Sequence, residues 1–172
     1  MSNPRPLGFD AIAEARRQWE AHGWAAPAAM AATTSIMRAQ QIILARTDEA
    51  LRAFDLTFAR YEALVLLYFS RQGALPLGKM GDRLMLHPTS VTNIIDRLED
   101  QGLVRRVPHP TDRRTTLAEI TDDGRAVVEK ATEAATSATL GMGGLTDREL
   151  DQLTKLLRKL RIDAGDFPEP DE

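Results

Sequence analysis

Apolar residues recur at helical spacing over most of this 172-residue chain, and the places where the spacing fails mark its organisation. From about Phe9 to Gly23, Ile12, Ala15 and Trp19 make a short, weakly striped helix. Pro27 suits a first helical turn, where its missing N–H would have no partner. The helix it opens runs to about Phe54. Its Met30, Ile36, Met37, Ile43, Leu44 and Leu51 cover more than one face, the pattern of a helix covered by more than one neighbour. Asp55-Leu56-Thr57 interrupts it, with Thr57 as the N-cap of a helix from Phe58 to Arg71. That helix puts Tyr61, Leu64, Leu67 and Tyr68 on one side and is expected to end at Gly73.

Shorter elements follow. A helix from about Gly78 to Leu84 leads through the turn Met85-Leu86-His87 into a second helix, Pro88 to about Gln101. The second helix gathers Val91, Ile94, Ile95 and Leu98 on one face and closes at Gly102. The period then drops towards two. Leu103 to Val107 reads as a strand, Pro108-His109-Pro110-Thr111-Asp112 as turn chemistry, and Arg114, Thr116, Ala118 and Ile120 as a returning strand. Thr121 caps a helix from Asp122 to about Thr139, Gly141 to Gly144 breaks the chain, and Thr146 with Glu149 forms a capping box. The stripe Leu150, Leu153, Leu157 and Leu160 must then be buried, against the first long helix or its copy in a second subunit.

Composition removes several function classes. With no cysteine there are no disulfides, thiolate metal sites, thiol catalysis or thiol-based peroxide sensing. No apolar stretch approaches the roughly 20 residues of a membrane helix. Met1 to Asp10 lacks a basic start followed by an apolar run, so no membrane role is expected and the cytoplasm is the expected location. His22, His87 and His109 are the only histidines, and no phosphate loop, nucleophile elbow or zinc-protease helix is present. An enzyme is therefore not expected, nor a cofactor; a histidine–carboxylate metal site is the remaining metal-responsive alternative.

The net charge of −3 hides an uneven distribution. Asp163, Asp166, Glu169, Asp171 and Glu172 crowd the C-terminus, an expected disordered tail, whereas Arg97, Arg105, Arg106, Arg113 and Arg114 fall in one short stretch. Phosphates respond to the local field rather than to the sum. Two short helices joined by a tight turn and followed by a hairpin can present the second helix to a DNA major groove. Thr89, Ser90, Thr92 and Asn93 then offer short hydrogen-bonding groups to base edges, unless they are simply a solvated helix start. Arg97, Arg105, Arg113 and Arg114 are the candidate phosphate or minor-groove contacts. Asp112 either orients Arg97 or Arg114 or serves as a turn residue.

The residues that carry these readings resemble the multiple antibiotic resistance regulator (MarR) family. The match runs through Leu77-Gly78-Lys79-Met80, His87-Pro88-Thr89-Ser90-Val91-Thr92-Asn93 and Asp96-Arg97-Leu98-Glu99-Asp100-Gln101-Gly102-Leu103-Val104-Arg105-Arg106. It continues in Asp112-Arg113-Arg114 and Ile120-Thr121-Asp122-Asp123-Gly124. The resemblance implies a mainly α fold with a small β-hairpin wing, a winged helix-turn-helix in an obligate dimer with intertwined N- and C-terminal helices. It implies palindromic double-stranded DNA as partner and release by a small aromatic or anionic effector. The corresponding segments are an N-terminal extension helix (1–26), a dimerisation helix (27–56), the DNA-binding domain (57–120), C-terminal dimerisation helices (121–162) and the acidic tail (163–172). An effector pocket between the dimerisation helices and the DNA-binding lobe makes Trp19, Arg38, Arg60, Tyr61 and Glu62 candidates. The extension departs from many members, and docking of the extra helix is the stronger reading of Trp19 and Trp24. A winged-helix module that binds protein instead of DNA is the competing reading, since fold does not fix function.

Overall fold

The computed structural model describes residues 7–112 and 114–168. The chain divides into two compact units, Met1–Gly141 and Met142–Glu172. In the first, α1 (Ala11–Ala21) starts where the Asp10 carboxylate accepts from the N–H groups of Ile12 and Ala13. The long α2 (Pro27–Leu51) ends in a 3-10 turn, Arg52–Phe54. Then come α3 (Phe58–Tyr68), β1 (Ala74–Pro76), α4 (Leu77–Leu84), α5 (Pro88–Asp100), β2 (Val104–Pro108), β3 (Thr116–Ile120) and α6 (Asp122–Ser137). The second unit holds α7 (Asp147–Asp163), opened by the expected capping box between Thr146 and Glu149.

The fold is a winged helix-turn-helix: mainly α, with one small antiparallel sheet in the order β1-β3-β2. Its core lies in the first unit and is built mainly from one face each of α3 to α6 and the sheet. Tyr61, Leu64 and Leu67 of α3, Met80 of α4, Val91, Ile95 and Leu98 of α5, Val104 and Ile120 of the sheet and Val128 of α6 are all buried together. Burying each large aliphatic side chain is worth roughly 1.5–3 kcal/mol. The stripes therefore fix the rotation of α3, α5 and α6 about their axes.

Two local expectations give way to the structure. The helix α3 is capped at Phe69 rather than Gly73. Ser70 to Gly73 form a further turn, and Gly73, at φ +66°, swings the chain into a strand. That strand, β1, is legible in no alternation, being three residues long. It exists because β3 offers a second edge, with Leu75 opposite Ala118. Arg114 precedes β3, which begins at Thr116. At the chain end, Asp163 closes α7, Asp166 accepts from Arg161 Nε at 2.6 Å, and Phe167 lies under the guanidinium groups of Arg158 and Arg161. An ion pair and two cation–π contacts hold Asp166 and Phe167 against the end of α7; the rest of the expected tail, residues 169–172, lies outside the described residues. Within the first unit α6 packs on α3 and α2.

Candidate nucleic-acid interface

The helix-turn-helix is set by a tight turn. Met85 adopts the left-handed region at φ +54°, and the Leu86 N–H donates to the Gly81 carbonyl at 2.9 Å. A Cβ on Gly81 would stand 3.1 Å from the Leu86 carbonyl oxygen, so this approach favours glycine. His87 then caps α5: its Nδ1 accepts from the Thr89 N–H at 3.3 Å, and Pro88 occupies the first helical position. The buried side of α5 turns Thr89, Ser90, Thr92 and Asn93 outward, and all four are exposed. The Thr92 hydroxyl donates to the Pro88 carbonyl at 3.0 Å, which occupies its hydrogen.

The wing is β2, β3 and the loop between them. His109 N–H donates to Thr115 O at 3.1 Å and Thr115 N–H to Asp112 O at 3.0 Å. The His109 ring Nδ1 accepts from the N–H groups of Thr111 and Asp112. The Asp112 carboxylate accepts from the Thr115 hydroxyl at 2.6 Å and the Arg114 N–H at 3.0 Å, and these bonds hold its carboxyl below the usual range. Asp112 therefore serves as the turn residue, and among the described residues it makes no ion pair with Arg97 or Arg114. Arg97 lies 3.9 Å from Asp100, with both side chains well exposed. Arg114 is exposed, and Arg113 lies outside the described residues.

Two arginines of the basic stretch are paired with carboxylates of the same lobe. Arg105 stands opposite Glu119 in the ladder and donates to it from Nε at 3.1 Å and Nη2 at 3.0 Å; this bond is what lowers the Glu119 carboxyl. The expected phosphate contact at Arg105 is thus already paired, because strand register sets a carboxylate beside it. Arg106 reaches Asp96 at 2.5 Å and also Glu99, whose carboxylate takes the Arg106 N–H at 3.0 Å, tying β2 to α5. Lys79, Arg83 and Arg114 make no ion pair among the described residues. The roles of His87 and His109 are local, their partners being two or three residues on, but a ring nitrogen is an uncommon cap; that of Glu119 depends on strand register and carries no local signal.

The five candidate effector residues do not converge. Trp19 Nε1 donates to the Ala25 carbonyl at 2.8 Å, and its ring meets Trp24 edge-on with centroids 4.8 Å apart, so it docks the α1–α2 connection. Arg38 is exposed on α2. The buried Tyr61 shares a hydrogen bond with Thr132 at 3.1 Å, and Glu62 is half-buried, which pushes its carboxyl up. Only Arg60 lines a cavity of about 320 Å³, together with Leu44, Asp48, Arg52, Asp55 and Leu56. Among the described residues no three histidine or carboxylate side chains gather as a metal site, and no helix is long and apolar enough to cross a membrane.

Residues 56–116 match the model of the MarR family. The chain is 54% identical to Sco5413, a MarR family transcriptional regulator from Streptomyces coelicolor; the structures superpose with a TM-score of 0.76 over 82% of this chain and 98% of that one. It is 34% identical to the HTH-type transcriptional regulator YhbI of Bacillus subtilis, over 73% of this chain and 77% of the relative. It is 31% identical to BpsR of Bordetella bronchiseptica, whose DNA binding is regulated by 6-hydroxynicotinic acid, with a TM-score of 0.67 over 74% and 91% of the two chains.

Proposed function

The chain belongs to the MarR family of transcriptional regulators, and on that footing we propose that it binds a palindromic operator as a homodimeric repressor and leaves it when a small aromatic or anionic effector binds. Acting on chromosomal DNA, it works in the cytoplasm. The observation that carries the reading is the presentation of α5: its apolar side is locked into the core while Thr89, Ser90, Thr92 and Asn93 stand exposed at its N-terminal end. In this reading those four face base edges, with Asn93 paired to an adenine. Arg97, Arg113 and Arg114 hold the flanking backbone, and Arg105 and Asp112 shape the wing that carries them.

A two-fold dimer reads half-sites about one helical turn, ~34 Å, apart. An effector that binds better to a dimer with a different spacing lowers operator affinity by the ratio of its affinities for the two shapes. The regulation of BpsR by 6-hydroxynicotinic acid, a small aromatic acid, supports that effector class.

The test is binding to duplexes from the chain's own promoter region across a salt series. Asn93→Ala is expected to cost about 1–3 kcal/mol and to relax preference at one base position. Arg114→Ala should weaken all duplexes alike and flatten the salt dependence. If both variants keep wild-type affinity, the site is misassigned. If the wild type ignores every duplex, the protein-interaction reading takes its place.

A further inference from the structure

One side chain touches both the cavity wall and the C-terminal end of α5. Gln101 is the C-cap residue of α5. Its Nε2 donates to the Asp55 main-chain oxygen at 3.0 Å and to Asp55 Oδ2 at 2.8 Å. Its Oε1 is buried with no partner among the described residues. Chemistry settles the amide orientation, since the flipped form would aim an oxygen at two acceptors. Asp55 forms the corner between α2 and α3 in the left-handed region, at φ +52°. Its carbonyl also accepts from Arg60 Nη1 at 2.9 Å. Asp55, Arg60 and Asp48 line the 320 Å³ cavity, and Asp48 accepts from the Phe58 N–H at 2.7 Å across the same corner.

We propose that Gln101 is a positioning residue that couples this cavity to DNA binding: the Asp55–Gln101 hydrogen bonds carry the state of the α2–α3 corner to the end of α5. The proposal rests on the reading of α5 as the DNA-binding element and adds a route of regulation to it. A carboxylate entering the cavity competes with the Asp55 carbonyl for the Arg60 guanidinium, because a charged acceptor makes the stronger bond. The freed corner then repositions the acceptors that Gln101 holds. With its flank packed into the core, α5 has its C-terminal cap as the point through which the corner acts on it.

The test uses the full chain and a fluorescent operator duplex, without any effector. Arg60→Ala and Gln101→Ala are each expected to change operator affinity about threefold to tenfold, the worth of one hydrogen bond. The double variant should be no weaker than the weaker single, because both act on one linkage. Gln101→Glu keeps the shape and removes the donor. It should bind as weakly as Gln101→Ala at pH 8 and recover relative to wild type towards pH 5.5, as one proton shared with Asp55 restores a donor. A role confined to packing leaves that deficit independent of pH. Additive single losses with a flat Gln101→Glu profile would overturn the coupling while leaving DNA binding intact. A wild type that binds no duplex overturns both. Melting curves of each variant confirm that it folds.

Discussion

Gly124 shows how one atom can matter to this lobe. It lies in the first turn of α6, capped by Thr121, and an added Cβ would overlap the Leu103 carbonyl and press on Ile120 at 2.8 Å. Alanine favours a helix by about 1 kcal/mol over glycine. Overpacking against main chain costs about 1–3 kcal/mol. The clash wins, so Gly124→Ala is expected to lower Tm in a thermal melt. A variant that melts with the parent would mean that the main chain at Leu103 yields freely. Gly73 is constrained twice over, by φ +66° and by the Arg125 and Ile120 side chains packed where a Cβ would stand.

Among the elements, the wing has a loop held by a carboxylate. Asp112 accepts from the Thr115 hydroxyl and the Arg114 N–H, and its folded carboxyl titrates below the ordinary Asp value. A depressed carboxyl contributes its stabilisation above the unfolded value and loses it as pH falls through the folded one. The loop should therefore hold at neutral pH and loosen only in acid. The amide resonances of Arg114 and Thr115 are expected to shift together below the ordinary Asp range. In Asp112→Asn, which retains an acceptor without a titrating group, they should not. Resonances that stay still in the wild type would show that the carboxylate does not organise the loop. The pair Arg105–Glu119 also joins the strands, but with Arg105 well exposed it adds little to stability.

At the scale of the molecule, the unsatisfied surface is apolar. Ile36 and Met37 on α2 are 41% and 56% exposed, and Leu156 and Leu160 on α7 are exposed too. Exposed apolar faces of this kind mark partner surfaces. The proposed homodimer should appear in sedimentation at micromolar concentration. A double Ile36→Glu, Met37→Glu variant should shift it towards monomer and weaken operator binding with it, since the half-sites are then engaged singly. A wild type that sediments as a monomer would remove the basis for a palindromic operator.

Much of this was open to reading from residue order. The period of the apolar positions gave α2, α5 and α7 to within a few residues, because burial of one face leaves its mark at every third or fourth position. Caps at Thr57, Thr121 and Thr146 were legible for the same local reason: the hydroxyl and the N–H it serves are three residues apart. So was the outward set Thr89, Ser90, Thr92 and Asn93, which is what remains once Val91, Ile95 and Leu98 are assigned inward. Which arginines stay available was decided only in three dimensions. Arg105 and Glu119 are brought opposite by strand register, and Arg106 meets Asp96 and Glu99 where β2 passes α5. The same holds for β1, which needs an edge to pair with, and for the meeting of Gln101 with Asp55 across the fold. Local order sets helices and caps because their partners are neighbours in sequence, whereas ion pairs, edges and cavities belong to whichever distant segments the core brings together.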